Sequence, residues 1–526
     1  MAFIARYYSM LFAKDGRLYR YTRNSLLFLA ILFVVVITFV MQNKEVGFEQ
    51  GHHGYVSAQT LAIISNATFD NQFVGYTLAS KDDSNKVRYE YFDRYPVFFS
   101  ALFNIILSSS SDLATKVYIA RQVMNCIFLG ILVISFLLVR KFIENKYLAL
   151  SVVLICFSNF YLLYYKDMVH FDQPALLGFV LLLFCIAIYK LEGKRKPLYW
   201  AAFISVGLGR GYASYAIMGL WVGIEFIMFV KSSNLHLGEA FKKILKHDSF
   251  RILIIGLVWG TSLLAYNVVI EAKRNEVPLT QTSIVDSALK RLSLNEQFNE
   301  QYAGELDWAR FIPGQFERIA YFSIPVGQDQ LKSYKYVVLL PLVVLALVFI
   351  KRADSNKRLI LLLMALSGFV WLFPMRNLAA FHDYTAMYYI GVPLVLYMAL
   401  LSPLKRLGKV TIGLCVACIA FYAVVNSGVS QLHSSRQKAS NAYTVDFNRI
   451  AQTIGEGKNV YIKDGYSRLV PGVAHALGFY LAGDYFTSSK NASDYVISTD
   501  KHYQSETLTP SNKKVFLFAR QTAQRN

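Results

Sequence analysis

Four short stretches of this sequence gather side chains that could perform acid–base or phosphate chemistry. The first stretch, 48–54, reads Phe-Glu-Gln-Gly-His-His-Gly and offers the carboxylate of Glu49 with the imidazoles of His52 and His53. Carboxylates and imidazoles are the usual groups for general acid–base catalysis, and together they suit several divalent metals. We therefore predict that the 48–54 stretch supplies a proton acceptor, a metal ligand or both.

The other three stretches mix acidic, basic and imidazole groups at 91–96, 166–172 and 376–384. Their ionisable site candidates are Asp93, Arg94, His170, Asp172, Arg376, His382 and Asp383. A guanidinium group can hold a phosphate through two parallel hydrogen bonds, so the arginines are candidates for anion binding. Charged groups in water-exposed loops are often merely solvated, but four such clusters on one membrane face would be a less common coincidence.

The elements that must position these clusters are membrane helices. Hydrophobic residues make up 55% of the chain, and apolar runs recur between 25 and 426. Each run is long enough, or nearly so, to cross ~30 Å of hydrocarbon as a helix. We predict an all-α polytopic membrane protein with about eleven transmembrane helices. Their predicted ranges are 25–42, 115–139, 147–163, 173–189, 198–209, 213–230, 252–270, 336–350, 359–375, 386–402 and 410–426.

The distribution of charge predicts the orientation of these helices. The net charge is +20, and nearly all of the excess lies in short segments at 1–24, 140–146, 190–197, 231–251, 351–358 and 404–409. Basic loops stay in the cytoplasm, so the N-terminus is predicted to be cytoplasmic and the C-terminus extracytoplasmic. This assignment explains the excess without a nucleic-acid partner, and a plasma or bacterial inner membrane is favoured over the endoplasmic reticulum.

With this orientation, all four clusters fall on the outer side of the membrane. The predicted outer loops are 43–114, 164–172, 271–335 and 376–385. Within the first loop, the apolar stretch Val97–Leu107 is too short to span comfortably and is predicted to lie at the membrane interface. Four separate loops that converge on one membrane face could build a single site.

The chain is predicted to divide into a membrane module, 1–426, and a small extracytoplasmic α/β domain, 427–526. The tail has soluble composition and alternates strand-like with helix-like segments. The predicted strands are Asn459–Ile462, Tyr495–Ser498 and Lys514–Ala519, and the predicted helices are Phe447–Ile454 and Val470–Leu481.

In order and sidedness, these motifs resemble the GT-C membrane glycosyltransferases, in particular the branch of protein O-mannosyltransferases and lipid A aminoarabinose transferases. That branch has an Asp-Glu pair after the first helix, which 48–54 resembles with Glu49 and Gln50. Later matches are Asp93-Arg94-Tyr-Pro96, Ala120-Arg121-Gln122, Phe171-Asp172-Gln-Pro, Gly207-Leu-Gly-Arg-Gly211 and Phe381-His-Asp-Tyr384. The resemblance covers about 45–400 and fits a soluble outer tail.

The resemblance implies transfer of a sugar from a polyprenyl-phosphate donor to an acceptor hydroxyl on the outer face. Glu49 and Asp172 would be catalytic, and Glu49 is preferred as the base, with inversion at the anomeric carbon if the displacement is single. The arginines implied to meet the donor phosphate are Arg94, Arg210 and Arg376. This sequence has Glu49 where the family has Asp, so His52 or His53 remains an alternative base.

A divalent metal ion is a further possibility that the sequence leaves open, with Asp93, Asp172, His52 and His53 as candidate ligands. Two alternative functions also remain. A transporter or flippase of a lipid-linked substrate would place charges along a path through the bilayer, whereas these clusters lie on one side. A glycan ligase or polymerase would use the same donor class, and the sequence does not identify the sugar or the acceptor.

Overall fold

The fold is known from a computed structural model of the chain. It describes residues 17–42, 48, 52–81, 84, 86–91, 96–110, 112–209, 212–233, 236–291, 294–324, 335–455, 457–462, 485–487, 494–498, 507–509 and 516–519. Several predicted features lie outside these residues, namely Glu49, Gln50, Asp93, Arg94, Arg210 and the helix Val470–Leu481. For His52 the backbone is described and the side chain is not.

Helices dominate the described chain. In the first half they are α1 (Arg17–Val40), α2 (His52–Ser65), α3 (Val97–Leu107), α4 (Leu113–Val139), α5 (Lys146–Phe157), α6 (Phe160–Tyr164), α7 (Asp172–Glu192), α8 (Lys196–Gly207), α9 (Tyr212–Ser233), α10 (Leu237–Lys246) and α11 (Asp248–Asn275). In the second half they are α12 (Ser283–Arg291), α13 (Glu296–Gln301), α14 (Ala303–Leu306), α15 (Trp308–Ser323), α16 (Lys335–Arg352), α17 (Ser355–Leu372), α18 (Arg376–Phe381), α19 (Gly391–Leu401) and α20 (Gly408–Ile454). Short 3₁₀ helices lie at Leu279–Gln281, Asp383–Ile390 and Ser402–Arg406.

The all-α polytopic membrane architecture predicted from the sequence is confirmed. Seven helical segments of the described chain are long and apolar enough to cross a membrane: 113–139, 172–192, 213–231, 248–275, 355–372, 383–404 and 408–436. Three shorter apolar helices lie at 24–40, 97–107 and 146–157. The count of eleven membrane helices stays a prediction.

Asparagine and aspartate side chains fix where several outer and inner helices begin. Asp112 accepts a hydrogen bond from the backbone of Thr115 at the start of α4, and Asn145 caps α5 in the same way. Such caps satisfy backbone N–H groups that have no partner within the helix. Asn159 caps α6 and donates to the carbonyl of Phe322 on α15 at 2.9 Å. The predicted helix 147–163 is therefore wrong as one element, because it ends at Phe157 and restarts at Phe160.

Two further helix predictions need correction near the C-terminal end. The predicted helix 386–402 begins as the 3₁₀ helix Asp383–Ile390 and becomes α-helical only at Gly391. The predicted helix 410–426 does not stop at the membrane edge. It is part of α20, which runs 47 residues from Gly408 to Ile454, so the predicted separate helix Phe447–Ile454 is its last part.

Outside the bundle, seven short strands form one sheet in the order β2-β1-β4-β3-β5-β7-β6. The strands are β1 (Tyr76–Lys81), β2 (Val87–Tyr91), β3 (Asn459–Ile462), β4 (Tyr485–Thr487), β5 (Tyr495–Ser498), β6 (Thr507–Thr509) and β7 (Phe516–Ala519). β1 pairs antiparallel with β2 and parallel with β4, with Ala79 opposite Tyr485. The sheet therefore joins the first outer segment to the C-terminal region, and the predicted boundary at 426/427 stays a prediction.

A hydrophobic cluster supports this connection between the two regions. It contains residues of α2, α3 and α4 together with Phe171, which precedes α7. It also contains Ile450 and Ile454 of α20, Val460 of β3 and Ile497 of β5. Burying apolar surface is the main stabilising contribution in such a cluster. The sheet thus packs against the same elements that carry the polar clusters 48–54 and 166–172.

Candidate active site

The loop 165–171, between α6 and α7, is the centre of the candidate site. The turn after α8 packs against this loop, and Gly209 in that turn adopts a φ of +55°. A Cβ atom at Gly209 would collide with the carbonyl oxygen of Phe171. Glycine reaches positive φ without the steric cost that other residues have, so this turn can approach the loop closely. Gly209, which belongs to the glycine-containing motif of the sequence, therefore packs against the loop that precedes Asp172.

Asp172, the first residue of α7, has no exposed surface and two polar neighbours. Its Oδ2 lies 2.6 Å from Nδ1 of His170, and its Oδ1 accepts a hydrogen bond of 3.0 Å from the hydroxyl of Tyr388. The backbone N–H of Asp172 also points to Nδ1 of His170, at 3.4 Å. Asp172 and His170 thus form a buried acid–imidazole pair.

The polar cluster at 376–384 contacts the pair of His170 and Asp172 through aromatic rings. The ring of Tyr384 lies 5.2 Å from the ring of His170 and 5.2 Å from that of His382, and it contacts Tyr165 at 5.9 Å. Burial, followed by the nearby charge of Asp383 and a hydrogen bond to it, raises the pKa of Tyr165. The predicted convergence of the loops at 166–172 and 376–384 is therefore present in the described structure.

A second polar group lies on the other side of the same loop. His53 Nε2 lies 3.2 Å from Oδ1 of Asp167, and His433 Nε2 lies 3.9 Å from the same oxygen. All three side chains are buried, and the ring of His53 stacks on that of Tyr165. Burial alone would raise the pKa of Asp167, but the charge of His433 and the hydrogen bond from His53 outweigh it and lower that pKa.

Two buried cations accompany this second group, and the sequence reading did not select either as a site residue. Lys166 Nζ bonds Oδ1 of Asn426 at 2.6 Å and the carbonyl of Met41 at 3.2 Å, and burial lowers its pKa to about 8. Arg121, on α4, is 3% exposed and exerts an attractive charge on Asp167. A lysine at the end of an apolar run was the available signal, because an ionisable group there is costly unless it has a partner.

The remaining site candidates have different surroundings. Arg376 lies over the indole ring of Trp308, with 4.7 Å from its guanidinium carbon to the ring centroid. The structure groups three residues that could hold a metal ion, His53, Asp167 and His433. Of the metal ligands proposed from the sequence, His53 belongs to this group and Asp172 does not, while Asp93 and the side chain of His52 lie outside the described residues.

These features define a class of protein: a bundle of membrane helices with buried acids and imidazoles where its loops meet, and a small sheet outside the bundle. In fold, the chain is similar to two solved transferase structures. It is similar to ArnT, the lipid A aminoarabinose transferase, from Cupriavidus metallidurans bound to undecaprenyl phosphate. The identity is 12%, the TM-score is 0.57, and the match covers 94% of this chain and 97% of that one.

A second similar structure is the Archaeoglobus fulgidus oligosaccharyltransferase in complex with Zn and sulfate. Its TM-score is 0.50 at 12% identity, and the match covers 89% of this chain and 68% of that one. At these identities the likeness concerns the fold. No protein-family model and no curated protein sequence matches the chain.

Proposed function

We propose that the protein is a glycosyltransferase that moves a sugar from a polyprenyl-phosphate donor to an acceptor hydroxyl at the outer face of an inner or plasma membrane. The observation that carries this proposal is the buried pair of His170 and Asp172 at the outer end of α7, within a fold shared with membrane transferases. A buried acid–imidazole pair beside converging loops suits proton transfer better than substrate passage.

In the proposed reaction, the acceptor oxygen attacks the anomeric carbon of the donor sugar. The new glycosidic bond forms as the bond between that carbon and the phosphate oxygen breaks, which inverts the configuration. A carboxylate, Glu49 by preference, takes the acceptor proton, and the polyprenyl phosphate leaves with the electron pair of the broken bond. Asp172 and His170 orient the acceptor and stabilise charge near the reacting carbon.

The leaving phosphate requires positive charge, because negative charge develops on it as the bond breaks. We propose that Arg94 and Arg210 supply this charge. We also propose that Arg376, which lies over the ring of Trp308, binds the phosphate at the edge of the site. No metal is proposed at Asp172. Its two oxygens already contact His170 and the hydroxyl of Tyr388, so a metal there would have to displace one of these partners.

Two measurements test the proposed function. Mass spectrometry of lipids that copurify with the full-length protein should find a polyprenyl phosphate or its glycosylated form. Undecaprenyl phosphates carrying labelled single sugars should then be tried as donors in proteoliposomes, with label transferred to an acceptor extracted from the source membrane. We expect Glu49→Gln to lower transfer by at least about 10²-fold with donor affinity little changed.

The same assay separates the alternatives. A protein that carries labelled lipid across the liposome membrane and never transfers its sugar would be a transporter, and the proposal would be wrong. Transfer of a whole lipid-linked glycan in preference to a single sugar would indicate a ligase or polymerase. Transfer of a whole glycan is tested because the fold is similar to that of an oligosaccharyltransferase.

A further inference from the structure

The three side chains His53, Asp167 and His433 come from distant parts of the chain and meet at one point. His53 lies at the start of α2, Asp167 lies in the loop before α7, and His433 lies on α20. Each offers one donor atom, and these atoms all lie within 4.8 Å of one another. Each residue is at most 1% exposed, so this is an interior group rather than a set of solvated surface residues.

The geometry of the three residues is that of donors arranged around a common centre. Both imidazole Nε2 atoms face the same carboxylate oxygen, Oδ1 of Asp167, at 3.2 and 3.9 Å. The other oxygen, Oδ2, is buried and accepts no hydrogen bond from any residue in the described part of the chain. A buried carboxylate oxygen without a donor is costly. A hydrogen-bonded network alone would be expected to use both oxygens.

We propose that His53, Asp167 and His433 bind one divalent transition-metal ion, and that this ion fastens the outer part of α20 to the loop that carries His170 and Asp172. Two imidazoles and one carboxylate are a common ligand set for zinc and its neighbours in the first transition row. Donor atoms around tetrahedral zinc stand roughly 3.3 Å apart, because zinc–ligand distances are about 2.0–2.2 Å. The distance of 3.2 Å from His53 matches that spacing, and the distance of 3.9 Å from His433 would have to shorten by about 0.6 Å as the ion binds.

The surroundings also supply what such a site needs. Nε2 of His433 donates a hydrogen bond of 3.0 Å to the carbonyl of Tyr164, and a metal ion at Nε2 would replace the proton of that bond. The rings of Tyr164 and Tyr165 pack against His53 and restrict its orientation. Arg121 already contributes positive charge to Asp167, so the affinity for a cation is reduced and a chelator should be able to remove the ion.

This metal site is separate from the acid–imidazole pair of the proposed reaction, and its test does not depend on sugar transfer. Full-length protein purified in detergent should be stripped with a chelator and reloaded with Zn²⁺ or Co²⁺. Elemental analysis should then find about one equivalent of metal, and Co²⁺ should give visible absorption bands of four- or five-coordinate geometry. Metal should also raise the thermal midpoint, because a ligand that binds only the folded state stabilises it.

Variants identify the ligands. Asp167→Asn and His433→Gln should each lose the bound equivalent and the metal-dependent thermal shift, whereas His236→Gln, an exposed histidine on the predicted cytoplasmic side, should retain both. If either ligand variant does not fold, His53→Gln is measured in the same way and should also lose the bound metal. The cobalt spectrum of the wild type then reports the coordination geometry. Wild-type protein that binds no metal, or Asp167→Asn protein that keeps a full equivalent, would overturn the proposal.

Discussion

At the scale of single residues, the hydroxyl of Tyr388 is one of the groups that contact the carboxylate of Asp172. Tyr388→Phe removes a 3.0 Å hydrogen bond to a carboxylate that has no exposed surface. We expect the rate of transfer to fall by about 10- to 10²-fold, since a hydrogen bond to a charged group contributes about 1.5–3 kcal/mol. Asp172→Asn should cost about 10²-fold or more.

The matched control for Tyr388→Phe is Tyr397→Phe, which removes a buried hydroxyl bonded at 2.7 Å to the carbonyl of Ser323. It should leave the rate of transfer per folded protein unchanged, even where it lowers the stability of the protein. Equal losses of activity in the two tyrosine variants, measured per folded protein, would show that Tyr388 has no special relation to Asp172.

Asp112 provides a residue-scale test of pH dependence, because two hydrogen bonds from Thr115 lower the pKa of this helix-capping carboxyl from its ordinary value of 3.8. A lowered folded-state pKa gives stability that is present above the unfolded value and is lost as the pH falls through the folded value. Asp112→Ala should therefore cost about 1 kcal/mol near neutral pH. The difference between wild type and variant should shrink below about pH 4.

The comparison for that experiment is Asn145→Ala, which removes a neutral cap at the start of α5. An amide does not titrate, so its cost should be the same at both pH values. Thermal unfolding in detergent at pH 7 and at low pH measures both effects. A loss at Asp112 that does not change with pH would mean that the charge of the cap does not contribute.

At the scale of elements, the turn after α8 contacts the loop 165–171 and restricts its position. Gly209→Ala adds a Cβ that meets the carbonyl of Phe171, at a backbone conformation that costs alanine about 1–2 kcal/mol. We expect lower thermal stability and a larger loss of transfer activity, because the loop that ends at Asp172 must shift. Gly219→Ala on α9 meets nothing within 4 Å and should be neutral in both assays. Normal activity in Gly209→Ala would show that this turn does not position the site.

The sequence predicted those elements whose signal is local. Apolar runs located the membrane helices, and the short helix Val97–Leu107 and the strand Asn459–Ile462 have the predicted bounds. Strands β1 and β2 were not predicted, because their polar, half-exposed residues resemble an ordinary loop. The continuation of α20 past the membrane was missed because hydropathy changes at about 426 while the helical backbone does not.

The candidate site was predictable only in part, for a similar reason. His170 and Asp172 are two residues apart, so their proximity follows from the sequence. The partners of Asp167 do not, because His53 and His433 reach it through packing of α2 and α20. Tyr388 was read as part of an apolar helix, and no local pattern indicates that its hydroxyl faces Asp172. Glu49, Arg94 and Arg210 remain predictions.

At the scale of the whole molecule, the shared sheet predicts how the C-terminal region behaves alone. The sequence predicts that 440–526 is soluble by itself with an α/β circular dichroism spectrum. In the sheet, however, β4 pairs with β1, and removing the first outer segment leaves that edge open. We therefore expect isolated 440–526 to associate or to gain structure when a peptide of residues 74–91 is added. A monomeric, fully folded fragment that ignores the peptide would contradict this.

The predicted topology is also a property of the whole chain. Reporter fusions after Lys196 and Lys357 should read as cytoplasmic, because both positions lie in basic loops. A fusion after Asn526 should read as external. A cytoplasmic reading at the C-terminus would change the number of membrane helices by one and would place the outer sheet on the wrong side for the proposed site.

The length of α20 has a mechanical consequence. Its 47 residues extend about 70 Å, more than twice the hydrocarbon thickness of a bilayer. One end is therefore embedded in lipid, and the other meets the outer sheet through Ile450 and Ile454. Membrane helices tilt when bilayer thickness changes. A tilt of about 5° in a rigid rod of this length displaces its far end by about 6 Å. The helix acts as a lever arm, so the geometry above the membrane responds to the thickness of the lipid below it.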